Sequence, residues 1–260
     1  EKYEAVWKQI AERFAKYDEH LIFESMNEES DGTYDGDPNK EYYANLNQYN
    51  QIFVDTVRGT GEKNTHRWLL VPGWNTNIEY TVGDYGFEMP TDEKCSAGES
   101  RMMVSVHYYD PWDYCGIEDL KTILWGEYGD NLIEVNGFPK MNKAKWGDES
   151  YLDDLFSRMQ EKFVKNDIPV IIGEYGCIDK SSAYADFAGQ IQGNRAYWDG
   201  YVAGKAASMG MIPVYWDNGF NGVYGFGLFD RNTYEQTQPE IISTILKAVK
   251  NKDPKAGLDT

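Results

Sequence analysis

The sequence is poor in the residues on which several common chemistries depend. It holds 3 histidines, and no His-x-His or His-Glu-x-x-His spacing occurs among His20, His66 and His107, so the usual zinc-hydrolase ligand patterns are missing. No Gly-x-Ser-x-Gly is present, which removes the strained nucleophile turn of the serine hydrolases. The glycines never form a phosphate-binding pattern; Gly225-Phe226-Gly227 lacks the third glycine and the strand-to-helix setting. The 3 cysteines are too few for a disulfide framework, although Cys95 and Cys115 could pair across loop segments. No apolar stretch approaches the roughly 20 residues needed to cross a bilayer. Positive charge is short as well: 25 Lys and Arg stand against 43 Asp and Glu, for a formal net charge of −18. So acidic a surface repels phosphate backbones and anionic lipid, which argues against nucleic acid and membrane surfaces as partners. A neutral polymer is not repelled. No secretory leader opens the chain, and a processed secreted protein would have lost one, so location is not fixed by this feature.

Aromatic residues, by contrast, are abundant at 15%, with 8 Trp and 20 Tyr. They serve either core packing or flat faces for sugar rings, and composition does not choose between these. The 260 residues fit one domain with a large core.

An amphipathic helix from Tyr3 to about Tyr17 leads into the apolar run Leu21-Ile22-Phe23, which reads as a strand and ends on Asn27-Glu28. An acidic, glycine-bearing loop follows from Glu29 to Asn39, then a helix from Lys40 to about Arg58. Trp68 to Val71 is the second strand, ending at Pro72-Gly73-Trp74-Asn75; residues 76–100 read as loop with a short helix near Ile78. Met102 to Val106 is the third strand and runs into His107-Tyr108-Tyr109. The segment from Asp110 to Glu149 reads as one long loop carrying Trp112, Trp125 and Trp146, and loops of that length in a compact domain are usually functional. A helix over Tyr151 to Asn166 precedes the strand Pro169-Val170-Ile171-Ile172-Gly173-Glu174. The helix Arg195 to Met209 precedes the strand Met211 to Tyr215 and Trp216. A last helix spans Pro239 to about Lys250. The division is thus residues 1–250 as one βα body and 251–260 as a charged tail expected to fray. Five apolar strands alternating with helices demand a parallel sheet.

Two of these strands finish on a carboxylate, Glu28 and Glu174, at the end where parallel barrels carry their chemistry. A lone strand-terminal Glu is more often a surface or ion-pair residue. Here His107 and Tyr109 end a third strand and Trp216 a fourth, and polar residues do not recur at successive strand ends by accident. A pair of carboxyl groups suits glycosidic bond cleavage, one as proton donor and one as nucleophile or base. Glu28, with Asn27 beside it to hold a sugar hydroxyl, fits the acid/base; Glu174 fits the nucleophile. His107 and Tyr109 share one face of an extended segment, and Tyr109 can donate to the Glu174 carboxylate. Trp216 offers a face to a pyranose ring, and Trp74 and Asn75 are similarly placed at the end of the second strand. No metal and no cofactor is called for.

These stretches resemble glycoside hydrolase family 5. The resemblance rests on Leu21 to Glu28, Val106 to Tyr109, Ile172-Gly173-Glu174-Tyr175-Gly176, Tyr215-Trp216-Asp217-Asn218-Gly219 and Gly227-Leu228-Phe229-Asp230-Arg231, in the family's order along nearly the whole chain. The closest likeness is to its subfamily 4 of bacterial endoglucanases and xyloglucanases. The resemblance implies a (β/α)8 TIM barrel, α/β in class, of which this chain supplies strands 4 to 8, starting within helix 3. It implies retaining, endo-acting hydrolysis of a β-1,4-glucan such as cellulose, mixed-linkage glucan or xyloglucan. Glu28 is then the acid/base and Glu174 the nucleophile, with Asn27, His107, Tyr109 and Trp216 lining the cleavage subsite. It also implies a bacterial protein that is secreted or at the cell surface, and it puts the family's strand-2 Arg and strand-3 His in an amino-terminal barrel portion not in this sequence: the chain is a fragment, or that portion is a separate chain or was left out of the sequence as given. Glu29 stands where the family usually has Pro, which alters the turn and not the chemistry. The alternative is a non-catalytic carbohydrate-binding protein or inactive barrel fragment using the same aromatics, which would have no need of two strand-end carboxylates.

Overall fold

The computed structural model describes residues 1–32 and 36–257. Residues 33–35 of the acidic loop and 258–260 of the expected tail lie outside the described residues. The chain divides into two compact units, one of residues 1–106 and 161–171, the other of 107–160 and the residues from Ile172 on.

The first unit opens with α1 (Lys2–Phe14), β1 (Phe23–Glu24), α2 (Lys40–Gly59), β2 (Leu69–Asn77) and α3 (Ile78–Val82). β1 is shorter than the apolar run suggested, because Leu21 is turned back on Asp18 O by its amide. It pairs in parallel with β2, Phe23 opposite Leu69 and Glu24 opposite Leu70. β3 (Met102–Tyr108) follows β2, with Leu69 N donating to Arg101 O, and β4 (Val170–Tyr175) follows β3, with Val104 N donating to Pro169 O. Strand order in the sheet is therefore chain order, β1-β2-β3-β4-β5. Helices cover the strands through one apolar cluster, in which Trp7 and Ala11 of α1 and Phe53, Val54 and Val57 of α2 meet Phe23, Leu69 and Val71. Their spacing of three and four puts each set on one helix face.

Arg67 closes the bottom of this unit. Its side chain is buried, donating from Nε to Asn64 Oδ1 at 2.7 Å, from Nη1 to Asp18 O and Leu21 O, and from Nη2 to Phe14 O and Tyr17 O. The guanidinium also lies 4.9 Å above the Phe23 ring. One planar fork thus fixes the connection between α1 and β1. Arg67→Ala would leave those oxygens buried without a donor, and it is expected to cost about 3–5 kcal/mol of unfolding free energy by chemical denaturation. Arg67→Lys should recover little of this, since an ammonium cannot reproduce the fork.

The second unit carries α4 (Trp112–Cys115), α5 (Gly126–Asn136), most of α6 (Glu149–Lys162), α7 (Ala188–Ser208), β5 (Ile212–Tyr215) and α8 (Pro239–Asn251). β5 follows β4, with Trp216 N donating to Tyr175 O at 2.9 Å. Here the structure departs from the sequence reading in four places. The Asp110–Glu149 segment is not a single loop: α5 crosses it, and Trp125 is wholly buried, its Nε1 donating to Gly147 O at 2.5 Å. α7 begins seven residues earlier than expected, at Ala188 rather than Arg195. Both helices are rich in glycine, which weakens any helix reading from propensity. In α7 the small residues admit close packing: a Cβ on Gly204 would stand 2.6 Å from Pro254 Cα. That contact also shows the charged tail folded back, for Asp253 N donates to Ala248 O and Lys255 Nζ reaches Glu127 Oε2. Residues 252–257 are therefore docked rather than frayed. Cys95, Cys115 and Cys177 are all free thiols, so the suggested Cys95–Cys115 pair is not formed.

The α/β class and the (β/α)8 type of architecture stand, with five parallel strands of that barrel on this chain.

Candidate active site

In the first unit, Asn27 and Glu28 sit on a short segment tied down on both sides. Before it, Ser25 N donates to Leu70 O at 3.0 Å, and Ser25 Oγ donates to Asn50 Oδ1 at 2.8 Å. Asn50 in turn donates to Pro72 O at 2.9 Å, and Tyr3 OH donates to Ser25 O at 3.1 Å. After it, Glu29 O accepts from Asn75 N at 2.8 Å. Between these ties Glu28 takes a left-handed backbone, φ 53°. A non-glycine residue in that region is strained and persists where its surroundings hold it. The strain is at the residue expected to donate the proton. Asn75 and Thr76 at the end of β2 are left-handed too, φ 52° and 49°.

Trp74 does not present a bare face. It is 8% exposed, stacked at 11° on Tyr42 and tilted against Tyr43. What it lines is a cleft of ≈ 580 Å³ shared with Met26, Glu29, Tyr42 and Tyr49.

In the second unit, the nucleophile candidate is built as the sequence reading expected. Tyr109 OH donates to Glu174 Oε2 at 2.9 Å, and His107 Nδ1 lies 3.6 Å from the same oxygen. His107 is buried, whereas Glu174 keeps part of its side chain open to solvent. Two polar groups thus converge on one carboxylate oxygen. Trp216 is 43% exposed and Trp112 52%, the latter meeting the Tyr109 ring edge-on at 6.1 Å. Gly116 seats that indole, since a Cβ there would stand 2.1 Å from it. Trp146, also half exposed, meets Tyr151 edge-on. Of Trp112, Trp125 and Trp146, Trp125 is core and offers no open face.

Two features beside Tyr109 are not read from the sequence. Phe226 packs its ring against Tyr109 at 6.0 Å. Asp110, next to Tyr109, has its carboxyl pushed up to about 6 by burial, with Tyr151 OH only a distant partner at 3.5 Å. A folded pKa above the ordinary 3.8 means the protonated form suits the fold. That contribution is complete below pH 3.8 and is lost as pH rises through 6. Asp110→Asn is therefore expected to raise the melting temperature at pH 7 to 8 and leave it unchanged near pH 4; equal shifts at both would contradict the assignment.

Glu174, His107 and Tyr109 stand together at the carboxyl ends of β3 and β4, where parallel barrels carry their chemistry. The profile of the cellulase family, glycosyl hydrolase family 5, matches residues 1–222, and the chain belongs to that family. It is 49% identical to endoglucanase A of Paenibacillus barcinonensis over 253 residues, 96% of this chain and 60% of that one. It is 33% identical to a xyloglucan-specific endo-beta-1,4-glucanase of Bacteroides ovatus, over 96% of this chain and 46% of the relative. Among solved structures, a family 5 xyloglucanase from Paenibacillus pabuli superposes with a TM-score of 0.86 at 49% identity, covering 95% of this chain and 67% of that one. The chain thus spans between about half and two thirds of the length of these relatives.

Proposed function

We propose that the protein is a retaining, endo-acting glycoside hydrolase that cleaves β-1,4-linked glucan. The observation that carries this reading is the Glu174 carboxylate at the end of β4, with Tyr109 OH at 2.9 Å and His107 at 3.6 Å on one oxygen. In this reading Glu174 attacks the anomeric carbon while Glu28 protonates the departing glycosidic oxygen, forming a glycosyl ester and a free sugar end. Glu28 then takes a proton from water, which displaces Glu174 and yields product of the original configuration. Asn27, His107 and Tyr109 hold the sugar at the cleavage point, and Asn75 and the edge of Trp74 lie on the Glu28 side. Trp112, Trp146 and Trp216 present half-exposed indoles suited to the flat faces of successive glucosyl units. The endoglucanase and xyloglucanase relatives support a glucan backbone.

Such a polymer does not cross a membrane, so the enzyme works outside the cell or on its surface. Further βα units complete the barrel in this reading, on this polypeptide or another. Ile212 and Val214 of β5 and Ile22 beside β1 are exposed apolar side chains that such units would cover.

An endo-acting enzyme should cut the viscosity of a soluble glucan early, while few reducing ends have appeared. Slow viscosity loss with steady release of small sugars would mean exo action. No new reducing ends at all would leave the non-catalytic carbohydrate-binding reading.

A further inference from the structure

We propose that Arg195 and Tyr215 are positioning residues for the Glu174 carboxylate, acting through Phe226 and Tyr109. The inference rests on the reading of Glu174 as nucleophile. It starts from a charged group that is costly to bury. Arg195 on α7 is 2% exposed, and among the described residues the acceptor it hydrogen-bonds is the Tyr215 hydroxyl, from Nη2 at 3.1 Å. Among the described residues its Nε and Nη1 have no hydrogen-bond partner, and Asp199, wholly buried one helical turn on, stands 3.9 Å from Nε. Asp199 accepts instead from Cys177 Sγ at 3.7 Å. A guanidinium has only donors, so the Tyr215 oxygen must accept from it. The phenolic proton is thereby directed outward, and it is donated to Phe226 O at 2.9 Å. A hydroxyl that accepts from a cation is polarised and donates more strongly.

The Phe226 carbonyl is thus pinned, and with it the ring that meets Tyr109 at 6.0 Å and 74°. The fit is tight: a Cβ on Gly176, two residues past Glu174, would stand 3.2 Å from both the Phe226 and Tyr215 rings. Tyr109 is held between Phe226 and Trp112, and its hydroxyl reaches Glu174 Oε2. The path from the buried cation to the nucleophile is therefore continuous: guanidinium, hydroxyl, carbonyl and ring, ring and hydroxyl, carboxylate. A packing role alone would not need the Tyr215 hydroxyl, for phenylalanine fills the same space.

The test uses the intact protein and an activated aryl β-glycoside, whose rate reports attack by Glu174. Tyr215→Phe is expected to lower kcat by about tenfold or more, since small displacements of a reacting group are costly, with KM changed by less than about twofold. Tyr109→Phe should lower it at least as much. The double variant should be no slower than Tyr109→Phe alone, because both changes interrupt one path. Arg195→Lys should fall between Tyr215→Phe and the unmodified protein. An unchanged kcat in Tyr215→Phe, or effects that multiply in the double variant, would overturn the proposal. Should Tyr215→Phe fail to fold, Phe226→Leu breaks the same path one step later and is read in the same way. Glu174→Ala separates the two readings. If it stays active, the nucleophile assignment fails. If it is inactive while Tyr215→Phe behaves as unmodified, only the positioning role fails.

Discussion

Glu174→Ala is expected to lose hydrolysis of every glycoside, activated or not, by at least about 10 000-fold, because no atom remains to attack the anomeric carbon. The loss should be chemical rather than structural. Glu174 keeps part of its side chain open to solvent, and the half-buried Tyr109 can turn its hydroxyl to water. Melting temperature should therefore hold while activity vanishes. A small nucleophile such as azide fits the space left by the carboxylate and can attack an activated glycoside directly. Only one displacement then occurs, so the glycosyl azide should have inverted configuration. Rescue with retention would assign Glu174 a different role.

Glu28→Ala should behave in another way. Removing the proton donor matters in proportion to the basicity of the leaving oxygen, so the polysaccharide should be cut about 100-fold to 10 000-fold more slowly. A dinitrophenyl glycoside, whose leaving group needs no proton, should still form the covalent intermediate quickly and show a burst. Azide then attacks the glycosyl-enzyme, giving a product of retained configuration. Glu28 also carries a left-handed backbone, φ 53°. Glu28→Gly, which relieves that strain at the same site, should be at least as stable as Glu28→Ala. If neither Glu28→Ala nor Glu174→Ala slows polysaccharide cleavage by more than about tenfold, roughly 1.4 kcal/mol of barrier, these carboxylates are not the catalysts.

Much of the fold was legible because its signals are local. Unbroken apolar runs such as Val170 to Ile172 read as strands covered on both faces, and the three-and-four spacing in α1 and α2 read as helices. What escaped was decided by tertiary packing. α5 and the first two turns of α7 hold Gly126, Gly129, Gly189 and Gly193, which argue against a helix in isolation. Gly126, Gly129 and Gly193 are tolerated because neighbouring side chains come close, whereas Gly189 faces open space. A Cβ on Gly193 would stand 2.7 Å from Tyr128 OH. Most of α7 is buried, so it lacks the polar face that periodicity needs. The site divided along the same line. Glu28, His107, Tyr109, Glu174 and Trp216 were visible as candidates because each falls at or a few residues past the end of an apolar run. Arg195, Tyr215, Phe226 and Asp110 were not, because their importance comes from partners distant in sequence. Trp125 shows the converse error: an indole in the right stretch of sequence is a platform only if its face is open, and this one is core.

The central claim is that Glu174 forms a covalent bond to the sugar, and trapping that bond tests it most directly. A 2-deoxy-2-fluoro cellobioside with an activated leaving group slows the second step more than the first, so the glycosyl-enzyme accumulates. Intact mass should rise by one fluorocellobiosyl unit, and peptide mapping should place it on the segment holding Ile172-Gly173-Glu174-Tyr175, with loss of the label in Glu174→Ala. A label on the Glu28 peptide, or none while hydrolysis gives inverted product, would contradict the account.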